Sequence, residues 1–435
     1  MSKKRNLLAV QCGKLIDGTG AEPVHNATIL IENSRFSQIG ENITIPKDAK
    51  VIDASEKTVL PGLCDGHVHL NSDPFFSNTP LIQDATHVLR ATKNARITLE
   101  AGFTSIIGHM GFAFYSDLCL RDAIEAGWVP GPRLWTSGGA VSSSIRGRDW
   151  YRYGIFRQGM EVADGPDEMR KFIRQKIVAG SDFIKTHASY AVNSGLRGEC
   201  DMKNLTFDEL EAIVTEAHAY RRKVVAHVEG RQSMKDSLMA GVDIILHGFF
   251  INEDEAKEMV EKKIYYIPTL AWHLETTRTN AKGCQSWYLD KSEAYFKPHI
   301  ESFQTALKAG VTIAMGTDCS AGASPGDFLR HGENAKELEA FVEYGMTPMQ
   351  AIMASTRNVA EAYGLENLLG TVGVGKLADL TIVEGDPIED ITILQDKTRI
   401  WKVIKDGEVV VENGSSKARP CTKLVPNPPG FLGVA

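Results

Sequence analysis

A chain of 435 residues with 43% hydrophobic residues can bury one large core and a smaller one. Its net charge of -7, with Lys and Arg dispersed, leaves no footprint for nucleic acid, and no apolar run is long enough for a signal-peptide core or a bilayer span. Seven scattered cysteines with no Cys-x-x-Cys spacing suggest neither a disulfide framework nor a zinc knuckle, so a cytoplasmic protein with a small-molecule partner is expected, with no nucleic acid and no membrane.

The first sixty residues read as short strands at Leu7–Val10, Ala27–Glu32, Ser37–Ile39 and Val51–Asp53, separated by turn-forming residues. Leu60–His69 follows as a longer apolar strand. A phrase then recurs four times: Ala101-Gly-Phe-Thr-Ser-Ile-Ile, Ala179-Gly-Ser-Asp-Phe-Ile-Lys, Ala240-Gly-Val-Asp-Ile-Ile-Leu and Ala309-Gly-Val-Thr-Ile-Ala-Met. Each is a glycine helix stop followed by an apolar strand. The glycines lie 78, 61 and 69 residues apart, about twice the ~30 residues of one β-α unit, and each interval holds a further strand candidate. Those candidates are Arg133–Ser137, Lys223–His227 and Ile264–Pro268, which bring the count to eight.

Helical patterns fill the gaps, the clearest opening with the capping box Thr206-Phe-Asp-Glu209. Eight such units predict a (β/α)8 barrel over 60–365. A last helix begins at Thr347-Pro-Met-Gln350 and stops at Gly364. Leu380–Val383, Ile400–Lys405 and Glu408–Val411 resume the short-strand pattern, so 1–59 and 366–435 are expected to form a small β-sandwich from both chain ends.

His67 and His69 close the first barrel strand, and residues i and i+2 of a strand share one face. Lys185, His227, His247 and Asp318 stand at or near the ends of strands 4, 5, 6 and 8, at the end of the barrel where such enzymes place their chemistry. Four imidazoles and a carboxylate suit zinc, or a related divalent ion such as Mn, Co or Fe, and two ions need an anionic bridge. A lysine desolvated in a barrel has a depressed pKa, and its neutral amine can take up carbon dioxide as a carbamate, so Lys185 can supply that bridge.

With the strand-end residues in place, the chain resembles the amidohydrolase superfamily of metal-dependent hydrolases. The likeness is carried by Leu60-Pro-Gly-Leu-Cys-Asp-Gly-His-Val-His69, Gly180-Ser-Asp-Phe-Ile-Lys185, Val225-Ala-His227, Ile245-Leu-His-Gly248, Met315-Gly-Thr-Asp318 and Gly375-Lys-Leu-Ala-Asp-Leu380. The resemblance implies a two-metal centre. His67 and His69 would hold the buried ion with Asp318, His227 and His247 the more exposed one, and carboxylated Lys185 would bridge them. It also suggests a homo-oligomer. Glu333-Asn-Ala-Lys-Glu-Leu338 and Thr347-Pro-Met-Gln-Ala-Ile352 are most similar to the imidazolonepropionase-related branch, which includes Xaa-Pro dipeptidases and ochratoxin-cleaving amidases.

The implied activity is hydrolysis of a C–N amide bond, of the N-acyl amino acid, dipeptide or aryl amide type, by a hydroxide shared between two ions. Asp318 would be ligand and general base together. A deaminase or a lactone or ester hydrolase of the same superfamily is the alternative, and a non-catalytic binding barrel a minor one. Deaminases typically carry Glu three residues after the strand 5 His and lack the lysine, whereas Glu229 lies two after His227.

Many relatives carry Arg-Asp after strand 2 and Gly-Gly-His-Gly after strand 3. This chain has Ile107-Gly108-His109 and Ser142-Ser-Ser-Ile-Arg-Gly-Arg148 there. The stretch Arg146–Arg157 interleaves four arginines with four aromatics, which would suit an anionic or aromatic substrate. Arg146, Arg148, His109, His187, Tyr190 and His331 are the candidate substrate contacts. His25, His87, His218, His273 and His299 have no motif context and are read as structural.

Overall fold

The structure, a computed structural model, describes residues 6–71, 84–109, 116–145, 162–192, 199–278, 286–320 and 329–417. Both chain ends build one sheet. Strands β1 (Leu7–Leu15), β2 (Val24–His25), β3 (Thr28–Glu32), β4 (Arg35–Gly40) and β5 (Lys50–Pro61) come from the front of the chain. Their neighbours in that sheet come from its end. The nine-stranded order runs from Ser415–Ser416 through Glu408–Glu412, Ile400–Lys405 and Leu380–Val383 to β5, β1, β3 and β4, with β2 beside β1. Val10, Ile29, Ile31, Phe36 and Ile404 meet in its core.

The predicted strand Leu60–His69 is divided between two sheets. Leu60 and Pro61 end β5, where they pair with Thr381 and Leu380, and the chain re-forms as β6 (Leu63–His69). Gly62 is the corner: its N–H donates to the Asp379 carbonyl, and a Cβ there would sit 2.0 Å from Thr104 Oγ1.

From β6 onward the fold alternates strand and helix. β7 (Phe103–Gly108), β8 (Arg133–Thr136), β9 (Ala140–Val141), β10 (Ile184–His187), β11 (Val224–Val228), β12 (Ile244–His247) and β13 (Tyr265–Ile267) pair in parallel. They form two arcs, β14-β6-β7-β8 and β13-β12-β11-β10-β9, where β14 is Cys319–Ser320. β7, β10, β11 and β12 are buried along their whole lengths, as strands covered on both faces must be. Helices flank the arcs, and the one from Phe207 to Ala219 opens on the expected capping box, with Thr206 Oγ1 accepting from Glu209 N–H.

The eighth barrel segment departs from expectation. Instead of a ladder strand over 311–318, it makes a single bridge, Ile313 to Tyr266, before β14 pairs with β6. Its backbone groups are satisfied from several sides. Gly66 N–H donates to the Met315 carbonyl, Asp318 N–H to the His67 carbonyl, and Met315 N–H to the Ala354 carbonyl. The last of these bonds comes from a π-turn, Ala354–Asn358, inside the helix that begins at Pro348; such turns free a carbonyl for an outside partner. The eighth segment is therefore tied to β6 by individual hydrogen bonds at this seam.

Two glycines permit that close approach. A Cβ on Gly66 would lie 2.7 Å from the Met315 carbonyl oxygen, and one on Gly316 would lie 2.7 Å from His67 Cβ and 3.0 Å from its nitrogen. Neither neighbour can yield without moving a strand. Gly316→Ala is expected to destabilise the protein by about 1–3 kcal/mol, read as a lower urea midpoint at unchanged slope. An unshifted midpoint would show that the seam has slack.

Candidate metal centre

The strand ends bring six predicted residues into one buried region. On β6, His67 and His69 alternate with Val68 and face inward, and their Nε2 atoms are 3.1 Å apart. Asp318, one residue before β14, places Oδ1 2.8 Å from His69 Nε2 and 3.3 Å from His67 Nε2. Asp318 has φ +54° and His247 φ +66°, backbone conformations uncommon for residues with a side chain. Both depart from extended geometry at the point where a candidate ligand stands.

A second set lies on the neighbouring arc. His227, Glu229 and His247 are all buried, and their donor atoms fall within 4.8 Å of one another, as do those of His67, His69 and Asp318. The His67 and His247 ring centroids are 5.4 Å apart, and those of His227 and His247 4.4 Å, so the two sets adjoin. The His227 set is the more enclosed, since His69 and Asp318 keep 12% and 19% of their side chains exposed. Lys185, 1% exposed, pairs in register with Ala140 and Val225 in the middle of the second arc.

Burial foremost holds the His67, His109 and His247 imidazoles well below the usual range. Neutral rings are what metal ligation requires. The tautomer of His247 follows from its neighbour. Thr269 Oγ1 donates to the Pro268 carbonyl, so at 2.8 Å it accepts from His247 Nδ1–H and leaves Nε2 with its lone pair. Imidazoles and carboxylates gathered this closely fit divalent ions.

Asp65 organises the first set. Its carboxylate is fully buried and accepts from His67 N–H, Thr317 N–H, Thr317 Oγ1 and Asn334 Nδ2 at 2.7–3.1 Å. Burial nonetheless pushes it up to about 6, with those hydrogen bonds opposing. It ties β6 to the segment carrying Asp318. Asp65 and Glu229 are not among the residues that the strand-end pattern marks, although each stands two positions from a candidate histidine and so shares its face.

The candidate substrate contacts lie in several places. His109 Nε2 is 2.9 Å from the Gly66 carbonyl and from Tyr363 Oη, and its ring lies 4.3 Å from that of His67. His187 Nδ1 is 3.1 Å from Ser142 Oγ, and its ring is 5.3 Å from that of His227. Tyr190 Oη donates to the Ile145 carbonyl, while its own carbonyl lies 3.2 Å from His227 Nε2. His331 is buried, with Nε2 3.3 Å from the His69 carbonyl and Nδ1 3.3 Å from Cys319 Sγ. Arg146 and Arg148 lie outside the described residues. Of the histidines read as structural, His273 and His299 form a buried pair with Nδ1 atoms 3.1 Å apart.

Comparison with known proteins agrees with this geometry. The model of the "Amidohydrolase family" matches residues 58–410. A curated relative, ochratoxinase of Aspergillus niger, is 31% identical over 92% of this chain and 86% of its own. Among solved structures, a Xaa-Pro dipeptidase with methionine bound in its active site is similar with a TM-score of 0.83 at 30% identity, covering 93% of this chain and 99% of that one. The A. niger ochratoxinase structure gives 0.84 at 28% identity, with 96% and 99% covered. These neighbours are barrels with an attached β-sandwich, the architecture expected from the strand count.

Proposed function

The chain belongs to the amidohydrolase family and is a hydrolase of carbon–nitrogen bonds, and from that premise we propose that it cleaves a small-molecule amide with two divalent ions in the centre described above. The observation that carries the reading is the pair of adjoining donor sets, His67, His69 and Asp318 beside His227 and His247, with Lys185 buried next to them. Zinc suits the donors best, with Mn, Co or Fe as alternatives. Ions bound there would lower the pKa of water and polarise the scissile carbonyl.

The chain's own residues do the rest. Asp318 is the least buried ligand and the one carboxylate of the first set, so it takes the proton of the attacking water and returns it to the leaving nitrogen. Lys185, as its carbamate, supplies the anionic link between the two sets. Asp65 and Thr269 hold ligands in orientation. Relatives named for ochratoxin and for Xaa-Pro dipeptides support a substrate class of N-acyl amino acids, dipeptides or aryl amides. The reading includes a homo-oligomer, supported by the family likeness, and a reducing cytoplasm, supported by free Cys12, Cys64, Cys119, Cys200 and Cys319. No helix among the described residues is long and apolar enough to cross a membrane.

Metal-reconstituted protein screened against N-acyl amino acids, dipeptides and aryl amides tests the proposal. Hydrolysis of at least one class is expected, with loss of nearly all activity on exhaustive chelation and recovery on adding zinc or manganese. Activity that persists at negligible metal content would sink it, and so would release of ammonia from a heterocycle in place of amide cleavage.

A further inference from the structure

We propose that Glu229 is a third protein ligand for the ion held by His227 and His247, so that the second half of the centre is a His-His-Glu set able to bind metal without Lys185. The inference rests on the metal-dependent reading above and adds a ligand that the motif pattern did not supply. Register is its first support. His227 is the fourth residue of β11 and Glu229 stands just past its end, so the two sit at i and i+2 on one face, repeating on strand 5 the device of His67 and His69 on strand 1.

Geometry is the second. Glu229 is 4% exposed, and its Oε1 lies 3.5 Å from His227 Nε2. Its orientation is fixed from behind. Oε2 accepts from Val192 N–H at 2.7 Å, and the Glu229 N–H donates to Ser189 Oγ at 2.8 Å. The thiol of Cys200 hydrogen-bonds with the same carboxylate. The oxygen nearer the imidazoles is Oε1.

Ligand composition is the third. Two histidines and one carboxylate match the three-ligand composition of catalytic zinc sites, which leave a fourth position open. The centre then consists of two such sets, His67-His69-Asp318 and His227-His247-Glu229, with Lys185 joining them instead of completing either.

Equilibrium dialysis against zinc, with metal counted by plasma mass spectrometry, and cobalt substitution followed by visible absorption, decide the matter without an activity assay. Glu229→Gln is the informative variant because its amide oxygen still accepts from Val192 N–H, so a purely structural role would leave metal binding unchanged. Wild type is expected to hold two ions. Glu229→Gln should weaken one of them by more than the roughly 10–100-fold that a lost supporting contact costs, and lose one set of cobalt bands. Lys185→Ala should retain detectable binding at both sets.

Two ions with unchanged affinities in a folded Glu229→Gln overturns the assignment and leaves the proposed function standing. A wild-type protein that takes up no ions removes the proposed function itself. Should the Gln variant not fold, Glu229→Asp, which withdraws the carboxylate by one methylene, decides by the same measurement: selective weakening of one ion supports the ligand, and unaltered binding of both refutes it.

Discussion

Asp318→Asn is expected to lower kcat by about 10²–10⁴-fold, the range attributable to a lost general base, while the protein stays folded and keeps its metal. The substitution preserves shape and leaves an amide oxygen toward His67 and His69, but removes the group that accepts a proton. Oδ1 already lies 2.8 Å from His69 Nε2, so a same-sized residue can occupy the position without rearranging β6. The check is a steady-state assay paired with metal analysis and a thermal melt on the same preparation. A kcat within a few-fold of wild type would show that another group carries the proton. Loss of metal in step with loss of activity would mean that Asp318 acts as ligand alone.

Asp65→Ala should have the largest effect on stability, about 3–5 kcal/mol, since it orphans buried donors at roughly 1–3 kcal/mol each. Four hydrogen bonds converge on this carboxylate from β6, from Thr317 beside Asp318 and from Asn334. Their loss would release the two segments that carry the first ligand set, so metal affinity should fall together with the urea midpoint. Asp65→Asn keeps the volume and one acceptor oxygen and should be milder. A small change in both measurements for the alanine variant would show that the strand seam, with Gly66 and Gly316, holds the ligands unaided.

Much of the candidate site was legible because its residues stand at strand ends, and strand ends are marked by local sequence. Apolar runs closed by His67-x-His69, Lys185, His227 and His247 need only period-two alternation and the spacing of β-α units to be placed on one end of a barrel. The β-domain strands Leu380–Val383 and Ile400–Lys405 were legible for the same reason and appear with those bounds. Asp65 and Glu229 share that periodicity, but their roles depend on partners 252 and 37 residues away, Thr317 and Val192, which no local pattern reveals. His331 shows the converse: its sequence position after the eighth segment suggested the pocket, and its contacts are with the His69 carbonyl and Cys319.

The sequence by itself determined the alternation of strands and helices, the two-ended β-domain and the residue types that converge on the strand ends. Each of these follows from side-chain period and backbone stops, which act over a few residues. Only the tertiary structure decided how Leu60–His69 divides at Gly62, how the eighth segment meets β6 through single hydrogen bonds, and that Glu229 lies beside His227 and His247. Those outcomes depend on where a Cβ would collide and which distant backbone group is satisfied, and such constraints exist only once the chain is folded around them.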